Sequence, residues 1–366
     1  MRGCGWRGLA VFWTAVLLVA AGAGVTLQSL GPPAPPPPSR TAGVTPPAAA
    51  PAPAPAPPVQ PGAVVQPAAA KPAFVPPGRA TPGPIDDPDP LLLEPARAGG
   101  GAMLPRRDIA GRGPMQAYAR GFDRTTLRPR VGLIMAGIGA SDPDSQDAIR
   151  TLPGGVTLAV SPYTVRPGPL LEAARIAGHE VLLSLPLDSS GETAGALGDH
   201  ALLAAAMPSE NADRLDWLMS RFAGYAGVTD AFGALRGDRF AVAPQPMASV
   251  LDAVAARGLF YVEARPGAPP PPDVWAADVD VIVDETPVRS EIDARLATLE
   301  NLARQRGWAL GLAGTPRPIT TARIADWANG LSAKGFVLAP VSALVQLPSG
   351  RPVDKPAAAS LTGARQ

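Results

Sequence analysis

Ala177-Gly-His-Glu-Val-Leu-Leu-Ser-Leu-Pro186 is the stretch on which the fold can be read. Before it, Pro167–Ala177 carries Leu170, Leu171, Ala174 and Ile176 at helical spacing, and Gly178 stops that pattern. Val181–Leu185 then runs apolar without polar alternation and ends at a proline, which reads as a short strand. A strand that is apolar on both faces belongs to a parallel sheet covered by helices. The same unit recurs outward in both directions. Further runs of this kind are Val131–Met135, Val156–Val160, Gly227–Phe232, Leu259–Glu263, Val279–Asp284, Ala309–Leu312 and Phe336–Ala339. Helical patterns occupy Pro208–Ala223, Met247–Ala256, Ser290–Arg306 and Thr320–Ala333. Ser209 is a candidate N-cap, and Ser290-Glu-Ile-Asp293 reads as a capping-box-like start. This alternation predicts an α/β fold, better suited to a (β/α) barrel, complete or incomplete, than to an open sheet. In such a barrel the chemistry sits at the C-terminal ends of the strands.

The rest of the 366 residues reads differently. Arg2 and Arg7 precede Leu9–Leu27, 19 residues without a charge, which predicts a signal peptide or a signal anchor spanning a membrane over residues 1–30. Ala21-Gly22-Ala23 would suit cleavage. Between Gly31 and Pro90 lie 22 of the 47 prolines, a density that no packed core accommodates, because each proline removes a backbone donor. A disordered Pro/Ala-rich linker is therefore expected over 31–104, with a reach on the order of 150 Å if largely extended. A lead-in segment is expected over 105–130, in which Met115, Tyr118 and Phe122 are candidates to pack on the domain. The domain itself is expected over 131–347, with a disordered tail over 348–366.

Composition narrows the function. A net charge of +1 offers no basic stripe for nucleic acid. Cys4 is the single cysteine, which excludes an intramolecular disulfide or a cysteine metal cluster. Two histidines, His179 and His200, limit zinc chemistry. His179 reads first as a hydrogen-bonded structural residue and second as a ligand, and His200 as solvated. Gly137-x-Gly139 lacks the third glycine of a dinucleotide loop and reads as a tight turn. Gly-x-Ser-x-Gly is absent, so no nucleophile elbow is expected. At the strand ends, Asp188, Asp230, Glu263, Arg265, Asp284 and Glu285 could converge on one mouth. Carboxylates so placed bind cations or sugar hydroxyls, and a buried pair can divide into acid and base. Equally, each could cap a helix or pair with Arg265 or Arg317.

From Val131 to about Leu347 the chain resembles the divergent polysaccharide deacetylases of the NodB-like carbohydrate esterase superfamily. The resemblance rests on Leu152-Pro-Gly-Gly-Val-Thr-Leu-Ala-Val-Ser-Pro162, on Ala177–Pro186, on Gly227-Val-Thr-Asp230, on Arg257-Gly-Leu-Phe-Tyr-Val-Glu263 and on Lys334-Gly-Phe-Val-Leu-Ala-Pro-Val-Ser342. It implies a NodB-like distorted barrel that removes N-acetyl groups from a polysaccharide with a divalent metal held by aspartate and histidine. It also implies a departure. The family's Asp-Asp pair falls on Ala136-Gly137, its Asn-Asn-His stretch on Thr229-Asp230-Ala231, one histidine on Ser184 and another near Gly314-Thr315. His179-Glu180, Glu263 and Asp284 are retained.

The leading expectation is a periplasmic, inner-membrane-anchored protein of the bacterial envelope with a degenerate metal site and no resident cofactor. It would bind a polysaccharide or cell-wall glycan, or an envelope protein, and no nucleic acid. The candidate groove residues are His179, Glu180, Asp188, Asp230, Glu263, Arg265 and Asp284, with Trp275, Trp217 and Tyr163 as candidate sugar-stacking groups. The alternative is an active N-deacetylase that uses zinc or another divalent metal at a site rebuilt from Asp230, Glu263, Asp284 and His179.

Overall fold

The computed structural model describes residues 81–346 apart from 98–100, 193, 270 and 272. The membrane segment expected over 1–30, the linker up to residue 80 and the tail over 348–366 lie outside the described residues. Among the described residues no helix is long and apolar enough to cross a membrane.

A two-stranded antiparallel hairpin, β1 (Leu93–Pro95) and β2 (Met103–Pro105), precedes a short helix, α1 (Pro114–Tyr118). The main sheet is entirely parallel. It comprises β3 (Arg130–Ile138), β4 (Thr157–Val160), β5 (Val181–Ser184), β6 (Gly227–Thr229), β7 (Phe260–Glu263), β8 (Ala276–Asp278), β9 (Val281–Ile282), β10 (Trp308–Ala313) and β11 (Val337–Leu338). The helices between them are α2 (Asp142–Thr151), α3 (Pro167–Ile176), α4 (Pro208–Met219), α5 (Asp238–Ala241), α6 (Pro244–Ala256), α7 (Arg289–Arg306) and α8 (Pro318–Gly330).

The strand order is β8-β7-β6-β5-β4-β3-β10-β9, and β11 pairs with the start of β3. The sheet curls because its two edges come from one stretch of chain. Ala276–Asp278 pairs with β7, Val279 N–H still donates to Glu263 O, and Asp280 N–H then donates to Leu310 O on β10. The strand expected over Val279–Asp284 is realised as the short β9, and β8, just before it on the other edge, was not expected.

Two apolar layers follow from the absence of alternation. Ile134, Ala136, Ala159, Leu182, Phe260, Val262, Leu310 and Leu312 cluster inside the curl with Val341 and Leu344 of the C-terminal segment. Leu133, Met135, Leu158, Leu183 and Val228 cluster with Leu170, Leu215, Ile292 and Ile324 of the helices. Each fully buried aliphatic side chain of this size contributes roughly 1.5–3 kcal/mol.

The helix starts differ in detail from the sequence reading. The residue before α4 is Met207, so Ser209 lies inside the helix, and α7 begins at Arg289. Asp293 does not close a capping box; it pairs with Arg323.

The linker boundary at 104 is corrected by the structure. Leu92 and Leu104 are buried, and the hairpin lies on the end of the barrel where the strands begin. Arg257, at the end of α6, clamps it by an ion pair to Glu94 at 2.9 Å and a hydrogen bond to Pro105 O at 2.9 Å. In the lead-in, Met115, Tyr118 and Phe122 are buried, and Met115 N–H donates to Gly258 O. A proline-rich composition does not prevent packing where leucines are interleaved with it.

Candidate functional site

The C-terminal ends of the strands form the mouth, and backbone crowds it. Ala136 and Gly137 lie in a register shift of β3 against β4. Gly137 has φ +71°, and a Cβ there would lie 3.0 Å from Gly314 O. Gly314, in the loop after β10, would itself place a Cβ 3.0 Å from Gly233 O, in the loop after β6. The end of β3 and the loops after β6 and β10 thus meet through glycines. Gly139 has a different role: a Cβ there would collide with the Thr164 hydroxyl. Its N–H donates to Ser145 Oγ, and Asp142 and Asp144 stand in the first turn of α2. That turn repels anions, which removes the dinucleotide reading.

The acids at the mouth are already engaged. Asp284 Oδ1 accepts from Gly314 N–H at 2.7 Å and Oδ2 from Thr315 N–H at 3.3 Å, so this carboxylate fixes the loop after β10. Glu263 is gripped by the Arg265 side chain at 2.8 and 2.9 Å and accepts the Arg265 N–H as well. Asp230 is fully buried, and its Oδ1 accepts from Ala264 N–H at 2.7 Å. Burial, and after it the charge of Glu263, pushes the Asp230 carboxyl well above the usual carboxylate range. Its Oδ2, the Tyr261 hydroxyl and the Ser184 hydroxyl are buried without a hydrogen-bond partner. Asp188 stands at the rim, paired with Arg239 at 3.3 Å.

Asp230, Glu263 and Arg265 therefore form one group, with Asp284 across the mouth from them. His179 and Glu180 do not belong with it. They precede β5 and sit at the opposite end of the barrel, which corrects their inclusion among the groove residues. Both ring nitrogens of His179 face carbonyl oxygens, Val156 O at 2.8 Å and Ile149 O at 3.2 Å, and burial lowers its pKa. Glu180 is fully buried and accepts from the backbone N–H of Arg120 and of Ser342. Burial raises its pKa. Both residues brace the base of the barrel.

The expected stacking residues also divide. Trp275 precedes β8 and packs at the base. Tyr163 and Trp217 meet at 5.7 Å, and Phe232 lies edge-on to Tyr163. Trp217 is taken, with the His200 ring stacked 3.6 Å away and the Arg221 guanidinium 4.5 Å over it. That leaves the indole little face for a sugar. His200, expected to be solvated, belongs to this stack.

One residue escaped the sequence reading. Arg236, in the loop after β6, donates through Nη1 to Gly233 O at 2.8 Å and Leu235 O at 2.9 Å. Its sole local signal is its position between Gly233 and Gly237 shortly after a strand end.

Comparison with known proteins decides the family. The divergent polysaccharide deacetylase profile matches residues 133–345. The chain belongs to the divergent polysaccharide deacetylases. The crystal structure of an uncharacterized protein from Agrobacterium tumefaciens C58 is similar at 30% identity and a TM-score of 0.61. That match covers 67% of this chain and all of the other. The catalytic domain of a peptidoglycan N-acetylglucosamine deacetylase from Eubacterium rectale ATCC 33656 matches at 14% identity and a TM-score of 0.37. It covers 60% of this chain and 92% of the other, too distant to carry an argument. None of the curated proteins matches. This member of the family has an α/β fold of a curled parallel sheet surrounded by helices.

The divalent metal that the resemblance implies does not fit the residues present. Among the described residues no group of three or more His, Cys, Asp or Glu could hold an ion. Gly137 and Gly314 stand where ligands are expected, and their close approach leaves no room for a side chain.

Proposed function

We propose that this divergent deacetylase is a cell-envelope protein that binds a polysaccharide or cell-wall glycan without hydrolysing it. The observation that carries the reading is the contact of Gly137 with Gly314 at the mouth, since a Cβ at either position meets backbone oxygen. Deacetylation requires an activated water and a base in reach of the amide. Here Asp230 and Glu263 are buried, and Asp284 is committed to two backbone N–H groups. The envelope location rests on Arg2, Arg7 and the uncharged run Leu9–Leu27.

One observation favours the alternative, an active enzyme with a rebuilt site. Asp230 beside Glu263 is a carboxylate pair whose members experience different environments, as an acid and a base do. The position of His179 at the far end counts against it.

The test is acetate release from chitooligosaccharide and from peptidoglycan by the full chain, with and without added zinc. The expected result is no release above buffer, together with sedimentation of the protein with insoluble peptidoglycan. Turnover that Asp284→Ala abolishes would overturn the reading. Failure to sediment with glycan, combined with stoichiometric co-purification of an envelope protein, would replace it with a scaffold.

A further inference from the structure

Half-buried aromatic rings form a row that leads away from the mouth. Phe232 stands at its inner end, next to Gly233, whose carbonyl oxygen meets Gly314 across the mouth. The Phe232 ring lies edge-on to Tyr163 at 6.0 Å, and Tyr163 lies 5.7 Å from Trp217. Three separate elements supply the row: the loop after β6, the loop after β4, and α4. Tyr163 is held in place. Its N–H donates to Ser161 Oγ, its hydroxyl accepts the His200 N–H at 3.2 Å, and a Cβ on Gly198 would lie 2.5 Å from its ring. At the outer end stands Arg221, exposed just after α4. Its guanidinium carbon lies 4.5 Å over the Trp217 ring, and its Nε donates to Pro162 O at 3.2 Å, one residue before Tyr163. Among the described residues its two Nη groups have no hydrogen-bond partner, and no carboxylate pairs with it. The guanidinium is thus fixed by an indole and a neutral carbonyl, with its charge unbalanced. Arg214 donates to Ala201 O, beside His200, and likewise has no carboxylate partner among the described residues. Asp199, exposed beside His200, pairs with neither.

We propose that Phe232, Tyr163 and Arg221 form a subsite for an acidic sugar, so that the polysaccharide this protein binds carries carboxylates. The inference rests on the glycan-binding reading and deepens it by naming the class of glycan. Phe232 and Tyr163 offer apolar ring surface to the C–H face of a pyranose. Arg221 offers its two Nη groups to the sugar carboxylate, a pairing that is charge-assisted and bidentate. A neutral sugar would leave those donors to water. Trp217 is the positioning residue: its indole is occupied by His200 and the guanidinium, and that stack keeps Arg221 beside the row. Groups held in place before the ligand arrives lose less conformational freedom on binding.

The test is calorimetric titration of the full chain with two soluble probes, a uronic acid hexasaccharide and chitohexaose, alongside sedimentation with insoluble peptidoglycan. The uronate probe is expected to bind at least about tenfold more tightly than chitohexaose, and raising the salt to about 0.5 M should erode that preference. Arg221→Gln, at an exposed position, is expected to weaken uronate binding about tenfold and so to remove the preference. Arg221→Lys, which keeps the charge but not the fork, should retain part of it. Phe232→Leu is expected to weaken both probes alike, by about fivefold, because it removes ring surface and no charge. Equal affinity for the two probes, or a uronate preference that survives Arg221→Gln, would overturn the proposal. A chain that sediments with peptidoglycan yet shows no uronate preference loses this inference alone. A chain that binds none of the three loses the glycan reading and this inference with it.

Discussion

The two ends of the barrel treat buried charge in opposite ways. At the base, Glu180 is fully buried but receives two backbone N–H groups, from Arg120 in the lead-in and Ser342 near the C-terminus. At the mouth, three of the four buried polar side-chain atoms that lack a partner among the described residues belong to Ser184 at the end of β5, Asp230 just after β6 and Tyr261 within β7. A buried polar group left unpaired costs about 1–3 kcal/mol. The base is thus built for stability, and the mouth keeps polar atoms that stability alone does not require. The retained family residues divide along the same line: His179 and Glu180 hold the base together, whereas Glu263 and Asp284 stand at a mouth whose glycines leave no opening for added ligands.

Substitutions at each end sharpen or break this contrast. Glu180→Ala has the largest expected effect. It strands the Arg120 and Ser342 amides in the interior and should lower stability by about 4 kcal/mol in a denaturant titration. A loss under about 1 kcal/mol would make the base no more dependent on its charge than an exposed surface is. Gly137→Asp, which restores a family-type acid at the mouth, should cost about 2–3 kcal/mol through the positive φ and the Gly314 carbonyl, and should confer no zinc uptake. Uptake by that variant would show that the mouth loops yield.

Asp230→Asn has the smallest effect, and one that depends on pH. Because the folded pKa of Asp230 is raised, its contribution to stability is complete below the unfolded carboxylate value of about 4 and declines as pH rises toward the folded value. Asparagine, always neutral, escapes that decline. The melting temperature of the variant should therefore match wild type near pH 4 and exceed it increasingly toward pH 8. A constant offset across that range would mean that Asp230 is ionised in the folded protein.

Much of this architecture was legible before the structure. Uninterrupted apolar runs such as Val131–Met135 and Val181–Leu185 announced strands buried on both faces, and β3 and β5 lie there. β8 was not legible, because Ala276-Ala277-Asp278 carries no β-branched or aromatic residue to mark a strand. The base location of His179 and Glu180 was available from chain order alone: residues preceding a strand cannot stand at its C-terminal end. Leu91-Leu92-Leu93 and Leu104 signalled that the proline-rich region ends in packed structure, but the proline density around them masked it. Arg236 left no pattern, since its bonds to the Gly233 and Leu235 carbonyls come from the conformation of its own loop.

The stretch Ala276–Ile282 has a further consequence for how the barrel is assembled. Its first half docks on β7 and its second half on β10, which in turn lies beside β3, about half the chain away in sequence. The ring cannot shut until strands from its beginning, middle and end have all found their places, which makes the topology non-local and its formation slow. The same seam joins β9 to β10 by two register pairs, Val281 with Gly311 and Ile282 with Leu312, flanked by the Asp280 N–H to Leu310 O and Val283 N–H to Leu312 O bonds, and so short a seam is a natural place for the wall to part under thermal fluctuation.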